Sequence, residues 1–585
     1  MVLGYSGLHD SADYLAAKPG LVGHEGRIFQ GMDSAAALFV DGHLVAAVQE
    51  ERFTGNKYEN RYPAAAMRWC LQEAGIQPRD VDAVAHGFAF GPYRRLMESS
   101  VSGAERYAAV YSPKRQQQLL GQHFPELLDR VQVTGIRHHR AHALSAAVGS
   151  GFDDCLAVVM DGMGETDSVS VYRWRGGRLD HLMALDMRSS LGLYYSLVTM
   201  HLGFQPNSDE HRVMALAAYG DPERFADVMA DAVTLLGDGR ILVPLLNSAR
   251  DDPFREQYRA GRRWLAERTT PSVPDADGGL GPEHADVAAA CQRRLEQSIL
   301  HVISHWMDRT GARDIAFAGG VALNCVSNGV LLQHGVERLF VVPASGDEGT
   351  AVGAALALLP ETAQAMVPAF PSYGPDPGVP EGSGRAWISL PSVAAAARAA
   401  ARLISSGAVV GWAQGRLEFG PRALGNRSIL ADPRDPAMRT KVNATVKFRE
   451  DFRPLAPAVL ASHAANYFDI PAGADVRHMT VAVPVHVPKR ATIPAVVHTD
   501  GTARLQAVDH ATNPTFAALI EEFFRITGVP VVLNTSLNVK GQPMARDARE
   551  ALWTFEHSAL DALFVGAAVL LRPPWTAEDI LRERT

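Results

Sequence analysis

Cysteine is scarce in this chain: Cys70, Cys155, Cys291 and Cys325 are the only four in 585 residues, and no two form a CxxC pair. That excludes a zinc ribbon, provides no disulfide framework, and suits a reducing cytoplasm. Long apolar runs are also lacking. None approaches the roughly 20 residues of a membrane span, and the start, MVLGYSGLHD, has neither the basic residues nor the apolar stretch of a signal peptide. A cytoplasmic protein without a membrane partner is expected. Positive charge is in deficit, with 56 Lys and Arg against 64 Asp and Glu and a net charge of -8. Because nucleic-acid affinity rests largely on phosphate neutralisation, no nucleic-acid partner is expected, though a local basic pocket stays open.

The rest of the composition is that of a folded protein, 47% hydrophobic and 21% charged, and its length calls for at least two domains. Pro368, Pro371, Pro375, Pro377 and Pro380 lie with several glycines in a stretch that sustains neither helix nor central strand. The expected division is therefore a first domain over 1–362, a linker over 363–391 and a second domain over 392–585. Ser34 to Glu50 reads as two strands joined at Asp41-Gly42, and Leu156 to Leu185 repeats the plan with a Gly176-Gly177 turn. Each is followed by helical periodicity, so a duplicated α/β fold with a cleft between its halves is predicted. Asp314 to Asn324 and Leu339 to Leu358 each read as a strand, a small-residue turn and a helix, a start that can hold phosphate or ribose on backbone N–H groups. Beyond the linker, strands are expected at Gly407 to Trp412, Val481 to Val487 and Val529 to Leu533.

Chemistry enters with RHHRAHALSAA at Arg137 to Ala147, where His138 and His142 share one helical face at a spacing that can chelate a metal. Asp161 in MDGMGE and Asp347 in SGDEG, each at a glycine turn, are candidates to complete the set. Two imidazoles with two carboxylates suit Fe(II), Mn(II) or Zn(II) better than Mg(II), which prefers an all-oxygen shell. The alternative is that both aspartates only stabilise turns or cap helices. In the second domain, Arg416 to Arg453 sets Arg416, Arg422, Arg427, Arg434, Arg439, Lys441, Lys447, Arg449 and Arg453 among glycines and apolar residues. Guanidinium forks fit phosphate oxygens, and lysine supplies a compact charge. Arg434 and Arg439, near Asp432 and Asp435, read instead as surface charge. Arg504, Asn534 and Ser536 lie at strand ends and could complete a pocket.

In combination these segments are specific. SAAALFVDG with EERF, HHRAHALSA, MDGMGE, VMALAAYG, GGVALN, GWAQGRLEFGPRALGNRSIL, FRPLAP and LNTSLN follow one another along the chain. In these motifs and their order the sequence resembles the O-carbamoyltransferases of antibiotic and nodulation-factor biosynthesis, the NodU/CmcH family. The resemblance implies a first domain of the actin-like ATPase type, similar to metal-dependent threonylcarbamoyl-transferring proteins, with iron at His138, His142, Asp161 and Asp347. It implies a YrdC-like second domain that makes carbamoyl adenylate from carbamoyl phosphate and ATP, with Mg(II) accompanying the nucleotide. Lys447, Arg453, Arg504, Asn534 and Ser536, with Arg416, Arg422 and Arg427, fall on that activation site. Gly319, Gly320 and Asn324 fall on a nucleotide position of the first domain, and His138, Lys447 and Arg453 on catalytic ones. The implied acceptor is a hydroxyl of a small-molecule natural product, and self-association is left open.

The pattern is broken at Met32, where the family has histidine before Asp33. An HDS occurs earlier, at His9, Asp10 and Ser11, and an insertion from Ala12 to Gly31 carries His24, so either histidine, or another base, could serve the acceptor. Arg212 also stands where lysine is frequent. The rival reading is a threonylcarbamoyl-type tRNA-modifying enzyme, which the charge of -8 disfavours. A hydrogenase-maturation carbamoyltransferase would carry paired CxxC motifs. A nucleotide-binding sensor would leave the histidine pair and the Lys447 cluster unexplained.

Overall fold

The computed structural model describes residues 1–17, 26–98, 101–247, 258–273, 279–360, 366–368, 371–380 and 384–581. The chain forms two units, Met1–Glu51 with Tyr58–Pro368, and Arg52–Lys57 with Ala369–Thr585. The division near residue 368 falls inside the proline-rich stretch, and the short segment after Glu51 is part of the second unit.

The first unit is α/β and built twice. One sheet holds β1 (Val2–Tyr5), β2 (Ala35–Val40), β3 (His43–Gln49), β4 (Ala83–His86) and β5 (Val133–Gly135) in the order β3-β2-β1-β4-β5. The other holds β6 (Asp154–Met160), β7 (Asp167–Arg175) and β8 (Arg178–Asp186). After a small hairpin of β9 (Thr234–Leu235) and β10 (Ile241–Leu242), β11 (Asp314–Ala318) and β12 (Arg338–Val341) complete it in the order β8-β7-β6-β11-β12. In each sheet the first strand pairs antiparallel with a hairpin on one side and parallel with the next strand on the other. This repeated plan is consistent with the duplicated architecture expected from sequence, but the correspondence shifts by one strand. The counterpart of β6 is β1, four residues at the start of the chain, and the Ser34–Glu50 hairpin corresponds to β7 and β8. Both hairpins turn in two residues with positive φ, Asp41 (48°) with Gly42 (83°) and Gly176 (55°) with Gly177 (84°), the turn whose twist matches paired strands.

One helix follows each parallel edge: His138–Ser150 after β5, and Gly349–Leu356 after β12. The first is alanine-rich, a strong helix former, and stops at Gly151 in the left-handed conformation (φ 67°). The two helices pack so closely that a Cβ at Gly353 would stand 1.7 Å from the carbonyl oxygen of Ala141. Only glycine permits that approach, and it brings the two helix starts, with their histidines and Asp347, together.

The second unit carries a mixed sheet built from β13 (Ile388–Ser389), β14 (Val410–Ala413), β15 (Arg427–Ala431), β16 (Ala456–Leu460), β19 (Gln506–Val508), β20 (Val531–Ser536), β21 (Ala562–Val565) and β22 (Ala568–Leu571). Their order is β13-β22-β21-β14-β15-β20-β16-β19. The expected strand near Val481 is β17 (Ala482–Pro484), which lies outside this sheet and pairs with β18 (Thr502–Arg504). The helices Val393–Ser405 and Pro514–Thr527 pack on each other, and each is capped by a side chain, Ser392 or Asn513, that accepts a first-turn N–H. Among the described residues no helix is long and apolar enough to cross a membrane.

Candidate active site: an acidic pocket and a cationic cluster

In the first unit, Nε2 of His138, Nε2 of His142 and one carboxylate oxygen each of Asp161 and Asp347 lie within 4.8 Å of one another. His138 Nε2 stands 3.1 Å from His142 Nε2, 3.1 Å from Asp161 Oδ2 and 3.3 Å from Asp347 Oδ1. Three of the four residues are fixed from behind. His138 Nδ1 donates to the Gly87 carbonyl (2.9 Å), which leaves the Nε2 lone pair facing the cluster, and Phe88 stacks on its ring at 4.1 Å. Asp161 Oδ1 accepts the N–H groups of Gly162 (2.8 Å) and Gly320 (3.2 Å), which turns Oδ2 inward. The Asp347 carbonyl accepts from the N–H and hydroxyl of Thr350, tying the aspartate to the helix it precedes.

Four lone-pair atoms converging in a buried space require a proton or a cation between them. Burial works to lower the His138 pKa, yet the charges of Asp347 and Asp161 outweigh it and hold the imidazole well above its ordinary value. His142 is lowered, by burial first and then by His138. Burial works to raise both aspartates, and His138 overrides it, holding them below the usual carboxylate range. Two neutral imidazoles with two carboxylates would be neutralised by one divalent ion. The donor set, its burial and its oriented nitrogens fit Fe(II), Mn(II) or Zn(II).

Around this cluster the sequence expectations divide. Gly320 reaches the site through its N–H on Asp161. Gly319 (φ 91°) lies against the Met160 backbone, where a Cβ would stand 2.2 Å from its carbonyl oxygen. Asn324 caps the helix Cys325–Leu332 by accepting from Ser327 and exchanges amide hydrogen bonds with Gln292, so it has a structural task. His9 has both ring nitrogens engaged: Nδ1 accepts the Tyr62 N–H (3.0 Å) and Nε2 lies 3.2 Å from Asp10. In that arrangement it offers no lone pair to an acceptor hydroxyl. His24 lies outside the described residues, and Met32 is buried. Arg212, where lysine is frequent, pairs with Asp209 and covers the Phe204 ring at 4.3 Å. Glu165 was not singled out from sequence. Its carboxylate, 1% exposed, accepts the N–H groups of Ala89 (2.6 Å) and His138 (2.9 Å), joining the loop before the Phe90–Met97 helix to the start of the histidine helix.

In the second unit, Lys447 ends a wide helical turn, Val442–Lys447, and is followed by Phe448 in the left-handed conformation (φ 49°), a strained state for a bulky residue. Its ammonium donates to the Ser536 carbonyl (2.8 Å) and hydroxyl (3.1 Å) and to the carbonyl (2.9 Å) and side-chain oxygen of Asn538. Burial first, then Arg449, Lys57 and Arg453, push the Lys447 pKa down. Burial, Arg453 and Arg504 do the same to Arg449. Lys447, Arg449, Arg453 and Arg504 are thus neighbouring cations, and because Ser536 and Asn538 already take the three N–H bonds of Lys447, this lysine offers an anion its charge and no free hydrogen bond. Arg449 and Asn538 join the residues expected there.

Other expected members are placed elsewhere. Arg427, although in the same arginine-rich stretch, is fully buried and gives its guanidinium to the carbonyls of Gln414, Gly415, Asn426, Pro375 and Arg546, so it braces a loop and has no donor left for phosphate. Arg416 likewise donates to the carbonyls of Tyr373 and Gly374. Arg422 sits half-buried in that loop, which Glu418 gathers by accepting the N–H groups of Leu424, Asn426 and Arg427. Asn534 donates to Gln506 (2.8 Å) inside the sheet. Arg434, as expected, pairs with Asp432.

Family models described as Carbamoyltransferase N-terminus and Carbamoyltransferase C-terminus match residues 29–356 and 401–572. The chain belongs to the carbamoyltransferase family. This carbamoyltransferase is 36% identical to nodulation protein NolNO of Sinorhizobium fredii over 94% of its own length and 80% of the relative's. It is 37% identical to nodulation protein NolO of Bradyrhizobium diazoefficiens over 76% of its length and 80% of the relative's, and 29% identical to nodulation protein U of Rhizobium fredii over 87% and 89%.

Proposed function

We propose that this carbamoyltransferase activates its carbamoyl group with ATP in the second unit and delivers it to a natural-product hydroxyl in the first. The observation that carries the reading is the cationic cluster of Lys447, Arg449, Arg453 and Arg504. Carbamoyl phosphate and ATP are both anions and repel each other, and buried cations lower the cost of bringing them together. Water replaces the phosphate of carbamoyl phosphate, the resulting carbamate oxygen takes the adenylyl group of ATP, and phosphate and pyrophosphate leave. A YrdC-like second domain and an actin-like first domain belong to this same reading.

Transfer then requires an acceptor oxygen to attack the carbamoyl carbon, AMP to leave, and the hydroxyl proton to go to a base. His138, His142, Asp161 and Asp347 would hold one transition metal, Fe(II) by preference. A divalent ion there supplies Lewis acidity toward the carbonyl or the adenylate phosphate. The protein's own share is to orient: Gly87 fixes the His138 ring, and the Gly162 and Gly320 N–H groups fix Asp161. The charge balance supports a small-molecule acceptor over tRNA. Carbamoyl-phosphate-dependent release of pyrophosphate and AMP, measured with a panel of glycoside and polyketide alcohols, tests the reading. ATP turnover indifferent to carbamoyl phosphate would sink it.

A further inference from the structure

His138 opens the helix His138–Ser150, and Arg137 before it gives no side-chain hydrogen bond to the first turn. The first N–H groups of a helix have no partner within it, so an acceptor must come from elsewhere. For His138 that acceptor is Glu165, a buried carboxylate in the segment that follows Asp161, whose Oε1 takes the His138 N–H at 2.9 Å. The same oxygen takes the Ala89 N–H at 2.6 Å. A negative charge at a helix start is also favoured by the helix dipole.

Ala89 stands two residues beyond Gly87, whose carbonyl accepts from His138 Nδ1 at 2.9 Å. A closed circuit results. One oxygen of Glu165 holds the backbone of His138 directly and, through the segment from Gly87 to Ala89, the carbonyl that turns its ring. The same segment braces a second member of the pocket. A Cβ on Gly87 would stand 2.4 Å from Thr350 Oγ1, and the Thr350 hydroxyl donates to the Asp347 carbonyl at 2.6 Å. Asp161 lies four residues before Glu165 in the chain, so three of the four residues of the pocket are tied to segments that meet at this carboxylate.

We infer that Glu165 is the positioning residue of the His138, His142, Asp161 and Asp347 pocket, an assignment that rests on the metal-site reading. It fixes where His138 Nε2 points before an ion arrives, so its contribution lies in metal affinity and in the coordination geometry that the ion adopts. The role demands reach more than charge. Two backbone N–H groups converge on a single oxygen, and a neutral carbonyl oxygen at that point also accepts them.

Three substitutions in the full chain separate reach from charge. Glu165→Gln keeps an acceptor oxygen on a side chain of the same length and loses the charge, Glu165→Asp keeps the charge and draws the oxygens back by one methylene, and Glu165→Ala removes both. In titrations with Co(II) followed by its visible band, Glu165→Asp and Glu165→Ala should bind about 10-fold more weakly than the parent or worse, with an altered band, and Glu165→Gln should stay within about 3-fold. Glu50 is the control, because it accepts the N–H groups of Ala65 and Ala66 at the start of another helix, Ala64–Glu73, which supplies no ligand. Glu50→Ala should unfold at lower temperature and keep the parental midpoint and band. Weaker binding by Glu165→Gln than by Glu165→Asp would show a charge acting through space and overturn the inference, as would a loss in Glu50→Ala equal to that in Glu165→Asp. If Glu165→Ala does not fold, the Gln and Asp variants decide. A parent that takes up no Co(II) overturns the metal site and this inference with it, whereas a parental midpoint in Glu165→Asp overturns the positioning role alone.

Discussion

Lys447 offers a test in which stability and chemistry separate. Lys447→Met keeps an unbranched apolar stem of similar volume and deletes the ammonium. Of the four oxygens around it, the Asn538 side-chain oxygen keeps a partner, because the Ser536 hydroxyl also donates to it at 2.7 Å. The Ser536 carbonyl likewise keeps the Asn538 N–H (3.0 Å), so only the Asn538 carbonyl loses its partner, and an unpaired buried acceptor costs about 1–3 kcal/mol. Against this, the variant removes a buried charge that Arg449, Lys57 and Arg453 all repel. The net loss of stability should be about 1 kcal/mol, less than the one unpaired carbonyl alone would suggest, and urea unfolding with an unchanged slope measures it.

The effect on chemistry should be larger and local. Removing a preorganised charge from a shielded pocket costs about 10²-fold or more in rate, so carbamoyl-phosphate-dependent pyrophosphate release should fall by at least that factor. Transfer from preformed carbamoyl adenylate should persist. His138→Ala should show the reverse pattern, and a mixture of the two variants reports whether the intermediate crosses solvent between chains. Pyrophosphate release at the parental rate in Lys447→Met would refute the placement of the activation site, whatever its stability.

Asp161→Asn leaves one oxygen for the Gly162 and Gly320 N–H groups and turns an NH2 toward His138. Metal affinity, read by dialysis against a chelator series, should fall by at least the roughly 10–100-fold typical of changes one shell further out. Glu50 accepts the N–H groups of Ala65 and Ala66, yet burial pushes its pKa up to about 7. Its folded state holds a proton more tightly than the unfolded chain, so its stabilising share is full below about pH 4.5 and is lost as pH rises toward 7, about 3 kcal/mol in all. Glu50→Gln should flatten that part of the urea-midpoint profile. Gly353→Ala places a methyl group on the Ala141 carbonyl and should lower stability by about 3 kcal/mol or more, with metal retention falling alongside, measured by calorimetry and elemental analysis.

The residues of the first unit that the structure brings together are ones whose placement follows from short-range geometry. His138 and His142 share a face because a helix repeats every 3.6 residues, and Asp161 and Asp347 stand beside glycine turns that their motifs display. Strand periodicity held a further signal in LNTSLN: Ser536 and Asn538 are two apart and both reach Lys447, so Asn538 could have been named with Ser536. Glu165 depends on segments distant in sequence meeting at one place, which no local pattern encodes. The arginines show the same limit from the other side. In a glycine-rich loop a guanidinium that points inward to five carbonyls and one that points to a phosphate have the same local sequence, and Arg427 was assigned to the second class when its packing belongs to the first. The strand Val2–Tyr5, only four residues long, carries too little pattern to be recognised alone, although the duplication is built on it.

The two clusters of this enzyme are opposite in sign, and the proposed chemistry divides along that line. Arg449 and Arg453 lower the affinity of Lys447 for its proton, and Arg453 and Arg504 lower that of Arg449, so in the proposed reaction relief of that repulsion would help draw two anionic substrates together. Asp161 and Asp347 with two imidazoles hold the opposite charge and are brought to neutrality by one divalent cation. A neutral, buried pocket does not repel an adenylate phosphate as a bare pair of carboxylates would. On the proposed reading, with activation where charge is positive and transfer where charge is balanced, neither cluster would suit both steps. The oriented Nε2 of His138 belongs to the second of those environments, where a directional hydrogen bond counts for more than net charge.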